Sequence, residues 1–176
     1  MLISETTSAG KASRGFARQG TARRGTERVA SVGEVLRLFI SMIHRQPMRE
    51  VEEIVAIENR GLQGCAHGRV GSGRQVLLME AETLEELGLQ PGVVKENVTT
   101  RGLALRGLKV GQRLRVGEAM LEVGCPCEPC RLMDQIRSGL QDELRGRRGM
   151  LCRVVQGGRI RRGDGIEVLD FMRVGS

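Results

Sequence analysis

Residues 150–172 read MLCRVVQGGRIRRGDGIEVLDFM. Two runs rich in Val, Ile and Leu (150–156 and 165–172) and the basic run RIRR between them (159–162) are separated by Gly-Gly and Gly-Asp-Gly, which is the punctuation of β-strands joined by tight turns. Gly157-Gly158 is a two-residue hairpin signal between MLCRVVQ and IRRG. Further toward the N-terminus the same texture recurs in AMLEVG, QRLRVG and ENVTT, each bounded by glycine or charged residues. RQVLLM is a short apolar run, VEEIVAIENRGLQG reads as a strand entering a glycine-marked turn, and GEVLRLFISMI fits a strand at least as well as a helix. Two segments read as helices. EAETLEELGL has acidic residues early, Leu84 and Leu87 three apart, and Gly88 as a stop; CRLMDQIRSGLQDELRGR is broken near Gly139. The expectation is a mainly β domain with short helices, closed into a β-barrel-like fold.

The chain has 176 residues, of which 40% are apolar and 28% charged, enough for one domain with a real core. With three Phe and no Trp or Tyr, that core is built from Val, Leu, Ile and Met, and platforms for stacking nucleic-acid bases are missing. The net charge of +7 is uneven: residues 1–28 alone carry six basic and two acidic side chains. Residues 1–30 have no periodicity and few large apolar residues, so they are expected to form a disordered basic extension, with the folded domain spanning 31–176. No stretch of 18 apolar residues and no secretory h-region is present, and the cysteine count is odd, so a cytoplasmic protein with no membrane partner and no specific nucleic-acid partner is expected.

Three of five cysteines fall in Cys125-Pro126-Cys127-Glu128-Pro129-Cys130. The prolines push Cys125 and Glu128 toward extended backbone, and Pro129 suits the first position of the helix that follows. That places Cys130 in the first helical turn, where free N–H groups favour a thiolate, with Arg131 adding positive charge. Cys130 is therefore the expected reactive thiol, and Cys152, in MLCRVV, a buried small residue. The rival is metal: C-x-C-x-x-C supplies three thiolates, and Cys65 or His67 a fourth ligand, for a structural zinc that staples an interaction module from Cys125, Cys127 and Cys130. His67, in a glycine-flanked turn near Arg69 and Arg74, suits an anion pocket or proton transfer; Asn97 either caps its turn or binds a ligand. Arg145, Arg147 and Arg148 either complement a helix end or face a phosphate. No dinucleotide or P-loop glycine pattern is present.

GLQGCAHG (61–68), RQVLLMEAE (74–82), ENVTTRGL (96–103), the L-x-V-G-x-R-L-R-V-G run (108–117), PCEPC (126–130), GRRGMLCRVVQGG (146–158) and Gly163-Asp164 occur in an order and spacing that resemble the MOSC domain, named for the C-terminal domain of molybdenum cofactor sulfurase. The resemblance runs from about Gly33 to Val168. It implies the family's β-barrel and a role in sulfur or molybdenum-cofactor chemistry. It makes Cys130, after its proline, the family's hallmark cysteine. Two mechanisms follow from it. Cys130 carries sulfane sulfur as a persulfide, a sulfurtransferase-type role with a pyridoxal-phosphate-dependent cysteine desulfurase as donor and a molybdoenzyme or the cofactor as acceptor. Alternatively Cys130, with Cys127, ligates molybdenum in a cofactor-dependent oxidoreductase, and His67, Arg74, Asn97 and Arg148 hold the cofactor's phosphate and pterin. Where many members read G-D-x-H this chain has Gly64-Cys65-Ala66-His67, and Cys127 stands where many carry arginine. A carboxylate and a cation are thus exchanged for thiols.

Overall fold

The computed structural model describes residues 32–169. The expected N-terminal extension lies outside the described residues. The chain order is β1 (Gly33–Ile40), β2 (Arg49–Val51), β3 (Glu53–Ile57), β4 (Gly61–Leu62), β5 (Val76–Glu80), α1 (Ala81–Glu86), β6 (Val98–Arg101), β7 (Arg113–Val116), β8 (Ala119–Pro126), α2 (Leu132–Ile136), α3 (Leu140–Glu143), β9 (Met150–Gln156), β10 (Gly158–Arg161) and β11 (Gly165–Leu169).

Seven strands close on themselves in the order β11-β7-β8-β9-β5-β6-β1, with β1 returning to pair β11 and β2 appended to β1. Closure removes the exposed edges that an open sheet of short strands would present. Every pairing in the ring is antiparallel except β5–β6. That one is parallel because α1 carries the chain between the two strands, and a parallel pair needs such a crossover. A second sheet, β10-β3-β4, inserts Ile54, Ala56, Leu62 and Ile160 into the barrel's core beside Val35, Leu38, Val76, Leu78, Leu114 and Leu121. As the composition requires, this core is aliphatic.

The strand that positions the site is β5, which is apolar on both faces. Val76 and Leu78 point into the barrel. Met79 points out, into a smaller cluster with Leu84, Val94, Met133, Leu140 and Leu144 that seats the helices against the barrel wall. Leu77 also points out, against Cys127 and Leu151. A strand buried on both faces reads as a continuous hydrophobic run, which is why VLLM lacks alternation. The helix expected over 130–147 is two short helices, interrupted at Gly139, whose backbone sits in the left-handed region (φ 83°).

Two expectations are corrected. Gly157-Gly158 does not turn a hairpin: β9 stays in the barrel, while β10 leaves it to pair with β3. Neither glycine has the positive φ that a tight hairpin turn needs. They are required instead by close passage, because a Cβ on Gly158 would stand 2.5 Å from the Glu118 carbonyl carbon, and one on Gly157 3.0 Å from the Ala56 oxygen. Nor does Pro129 open a helix. The helix begins at Leu132 with Arg131 as N-cap, so Cys130 precedes it, its carbonyl accepting the Met133 N–H at 2.9 Å.

Candidate functional site

Outside the barrel, over β5 and β9, lies a cleft of about 370 Å³. Its floor is Gln75, Leu77, Asn97, Cys127 and Leu151; its walls carry His44, His67, Arg69, Ser72, Arg74, Lys95, Leu132 and Arg148. Five connecting segments meet there: the loop after β1 with His44, the loop after β4, the loop before β6, the arm from β8 to α2, and the loop before β9 with Arg148. The lining holds four cations, two imidazoles and no carboxylate, a composition that selects an anion.

Arg148 is the most buried of these cations, at 8% exposure. Its Nη1 donates to the Glu128 carbonyl at 3.0 Å and its Nη2 to the Val94 carbonyl at 3.1 Å, while its Nε–H has no partner. One guanidinium thus ties the cysteine arm to the opposite loop and keeps a donor in reserve. Glu96, fully buried, receives the Gly92 N–H at 2.6 Å and the Thr99 hydroxyl at 3.1 Å on Oε1; Oε2 has no partner. Burial holds its carboxyl above the usual range, against those two donors and the nearby Arg148 charge.

Asn97 is buried and its amide is engaged at both ends. Oδ1 accepts the Leu77 N–H at 3.0 Å; Nδ2 donates to the Phe39 carbonyl at 3.2 Å and to Cys65 Sγ at 3.5 Å. It joins β1, β5 and the Cys65 loop, so of the two uses expected for Asn97 the bonding pattern displays the structural one. His67 lines the cleft with its ring centroid 5.3 Å from that of His44, the planes tilted by 49°.

The five thiols are all free and sit in different surroundings. Cys152 is sealed in the core, and burial pushes its thiol up to about 12. Cys127 faces the cleft floor; burial raises its thiol, opposed by the Arg148 and Arg74 charges. Cys125 and Cys130 are exposed. Cys65 is half-buried. Burial raises its thiol, but hydrogen bonds from the His67 side chain and from the Ser41 and His67 backbone outweigh this and bring it down to about 7.

Sequence reasoning placed His67, Arg74, Asn97, Arg148 and Cys127 in one site, and the structure brings all five to the cleft. Cys130 stands on the same arm but not in the cleft's lining. His44, Arg69 and Lys95 were missed as site residues: each lies on a loop, and only Arg69 carried a hint, its nearness to His67 in GCAHGR. The zinc cage is not formed. Among the described residues no three His, Cys, Asp or Glu side chains come close enough to hold a metal ion, because Cys127 packs on Leu77 and Leu151 while Cys65 is bonded to Asn97.

A family model for the MOSC domain matches residues 67–167. The chain belongs to that family. Solved structures share the MOSC barrel. The YUAD protein of Bacillus subtilis superposes with a TM-score of 0.67 at 20% identity, covering 77% of this chain and 94% of its own. YiiM from Escherichia coli gives 0.59 at 23% identity, covering 83% and 71%, and YiiM from Geobacillus stearothermophilus 0.59 at 18%, covering 78% and 75%. No curated protein sequence matches the chain. MOSC domains are associated with molybdenum-cofactor binding and sulfur handling. No helix among the described residues is long and apolar enough to cross a membrane.

Proposed function

We propose that this MOSC domain is a sulfurtransferase-type carrier that holds sulfane sulfur on Cys130 as a persulfide and delivers it to an anionic acceptor in the cleft. The observation that carries the reading is the link between the two: the arm presenting Cys130 to solvent is fastened through its Glu128 carbonyl to Arg148, a cation of the cleft wall. A carrier thiol must reach into a donor's active site, so it has to be exposed and on a loop. The Cys130 thiolate attacks the terminal sulfur of a persulfide on a pyridoxal-phosphate-dependent cysteine desulfurase. A new S–S bond forms, the donor's S–S bond breaks, and the donor leaves as a thiolate.

The acceptor class is the phosphate-bearing molybdenum cofactor, or a molybdoenzyme presenting it. The residues present fit such an anion: Arg69, Arg74 and Lys95 line the cleft, and the Arg148 Nε–H is buried and unpaired, a donor that a phosphate oxygen would satisfy. Those side chains would hold the phosphate, with His67 beside it. In a second reading the cofactor stays bound and Cys127 or Cys130 ligates molybdenum; the Cys127 thiol on the cleft floor within the fields of Arg74 and Arg148 favours it. When bound, the cofactor would supply redox chemistry at molybdenum.

Mass spectrometry after incubation with a cysteine desulfurase and cysteine tests the carrier. A gain of about 32 Da, one sulfur, is expected on Cys130. No such gain, with Cys130→Ala behaving as wild type, would sink the reading. Elemental analysis of protein made in a cofactor-competent host separates the second reading, which requires molybdenum to copurify.

A further inference from the structure

The arm from β8 to α2 has two sides, and the cationic cleft occupies only one of them. Cys127 lines the cleft, while its neighbours Pro126 and Glu128 line a second cavity, of about 420 Å³. That is the alternation of an extended segment, whose successive side chains point to opposite faces. The two adjacent arginines divide in the same way: Arg148 lines the cleft and Arg147 the second cavity. The cavity's apolar surface includes the buried side chains of Leu105 and Met150. Its polar groups are unequal. Glu80 is already engaged, accepting the Leu105 N–H at 2.7 Å and the Thr83 hydroxyl at 3.0 Å. Arg147 pairs its Nη2 with Glu86 at 2.6 Å, but its Nε–H is buried without a partner. The Arg106 guanidinium and the Glu128 carboxylate have no partner among the described residues. One cavity thus combines an apolar surface, a free cation, an unpaired donor and a free anion.

We propose that this second cavity binds a free α-amino acid with an aliphatic side chain. The ligand's carboxylate pairs with Arg106 and takes the Arg147 Nε–H, its ammonium pairs with Glu128, and its side chain lies on Leu105 and Met150. Each unpartnered group then meets its complement. A phosphate ester or other polyanion does not suit the cavity, because Glu80 and Glu128 oppose the extra negative charge. A plain hydrocarbon would shield the polar groups from water and give them nothing in return. The volume suits one such molecule, since ligand pockets begin at roughly 300 Å³. The site makes and breaks no bond. It is independent of the sulfur-carrier reading and shares with it only the arm.

Calorimetric titration of the full chain with L-norleucine and its truncated analogues tests this. Norleucine is expected to bind, with hexanoate (no ammonium) and pentylamine (no carboxylate) each about three- to tenfold weaker. Along alanine, 2-aminobutyrate, norvaline and norleucine, affinity should rise by up to about fourfold per methylene. Arg106 and Glu128 are exposed, so Arg106→Gln and Glu128→Gln should fold and should each weaken norleucine about three- to tenfold. Arg106→Gln should also narrow the gap between norleucine and pentylamine, and Glu128→Gln the gap between norleucine and hexanoate. The Met150 ε-methyl signal, assigned by its loss in Met150→Leu, should shift as norleucine binds. No heat and no Met150 shift at about 10 mM norleucine would overturn the proposal. Equal affinity for hexanoate and norleucine would overturn the zwitterion assignment. Binding that is lost in Arg69→Gln with Arg74→Gln but kept in Arg106→Gln would put the ligand in the cationic cleft and overturn the second site. Loading of Cys130 by the desulfurase is read separately, so either proposal can fail while the other stands.

Discussion

The Arg148 guanidinium donates to the Glu128 carbonyl at 3.0 Å from a site that is 8% exposed. It is the one described contact that couples the arm bearing Cys127 and Cys130 to the loop before β6, whose Val94 carbonyl the same group also holds. A lysine head cannot span two carbonyls with the fixed fork of a guanidinium. Arg148→Lys is therefore expected to lose part, and Arg148→Met nearly all, of about 2–3 kcal/mol of stability, measured by urea unfolding. Amide exchange in residues 127–131 should accelerate in both. Unchanged exchange there would show that the arm is held by something else.

Cys65 should alkylate first. Thiolate is the reactive form, and the donors around Cys65 place its midpoint at about 7, so its rate of reaction with iodoacetamide should rise through that pH and level off above it. His67→Gln removes one of those donors and should move the midpoint upward. Cys152, pushed up to about 12 and sealed in the core, should stay unmodified until the protein unfolds. A Cys65 profile that is still rising steeply at pH 9 would contradict the environment described.

Glu96 gives stability a pH dependence of a definite sign. Burial raises its carboxyl in the folded state, so the folded chain holds a proton that the unfolded chain gives up near the ordinary value of about 4.3. Its contribution is thus complete below that value and is lost as pH rises through the raised folded value. Glu96→Gln keeps an oxygen for the Gly92 and Thr99 donors without the charge. Melting temperature measured from pH 4 to 8 should fall more for wild type than for the variant; parallel curves would exclude Glu96 as the source.

Gly158→Ala should destabilise the fold by about 2–4 kcal/mol, because the new methyl meets the Glu118 backbone at 2.5 Å, where no side chain can swing away. Gly107→Ala is the contrast. Its Cβ would meet nothing within 4 Å and its φ is not positive, so the change should lie within about 1 kcal/mol of neutral. Thermal melts of the two variants decide between a glycine needed for passage and one that is merely tolerated.

The strands were legible because their periods and glycine boundaries are local. β1, β5, β6, β7, β8 and β9 fall where the apolar runs place them, and α1 begins in its acidic segment. Pairing was not legible where two strands adjacent in sequence belong to different sheets. Gly157-Gly158 has the composition of a hairpin, and only the nearness of Glu118 and Ala56, about 40 and 100 residues away along the chain, shows that these glycines make room rather than turn. Of the residues lining the cleft, those with chemistry in their names were legible in the sequence: Cys127, His67, Arg74, Asn97 and Arg148. Lys95, Arg69 and His44 look like any charged loop residue until their loops converge on β5.

The order of residues alone determined an aliphatic barrel with short helices, a cysteine arm stiffened by Pro126 and Pro129, and the MOSC family. The barrel and the arm depend on composition, period and spacing, which are properties of neighbours in the chain, and the family on the resemblance of its ordered motifs. What each thiol is for was decided only by the tertiary structure. Burial makes Cys152 inert, packing turns Cys127 toward the cleft floor, and exposure leaves Cys130 to partners. Ser41, His67 and Asn97, which come from three separate segments, surround Cys65 with donors. A thiol's reactivity is set by the field and the hydrogen bonds within a few ångströms of its sulfur, and those come from parts of the chain that only folding brings together.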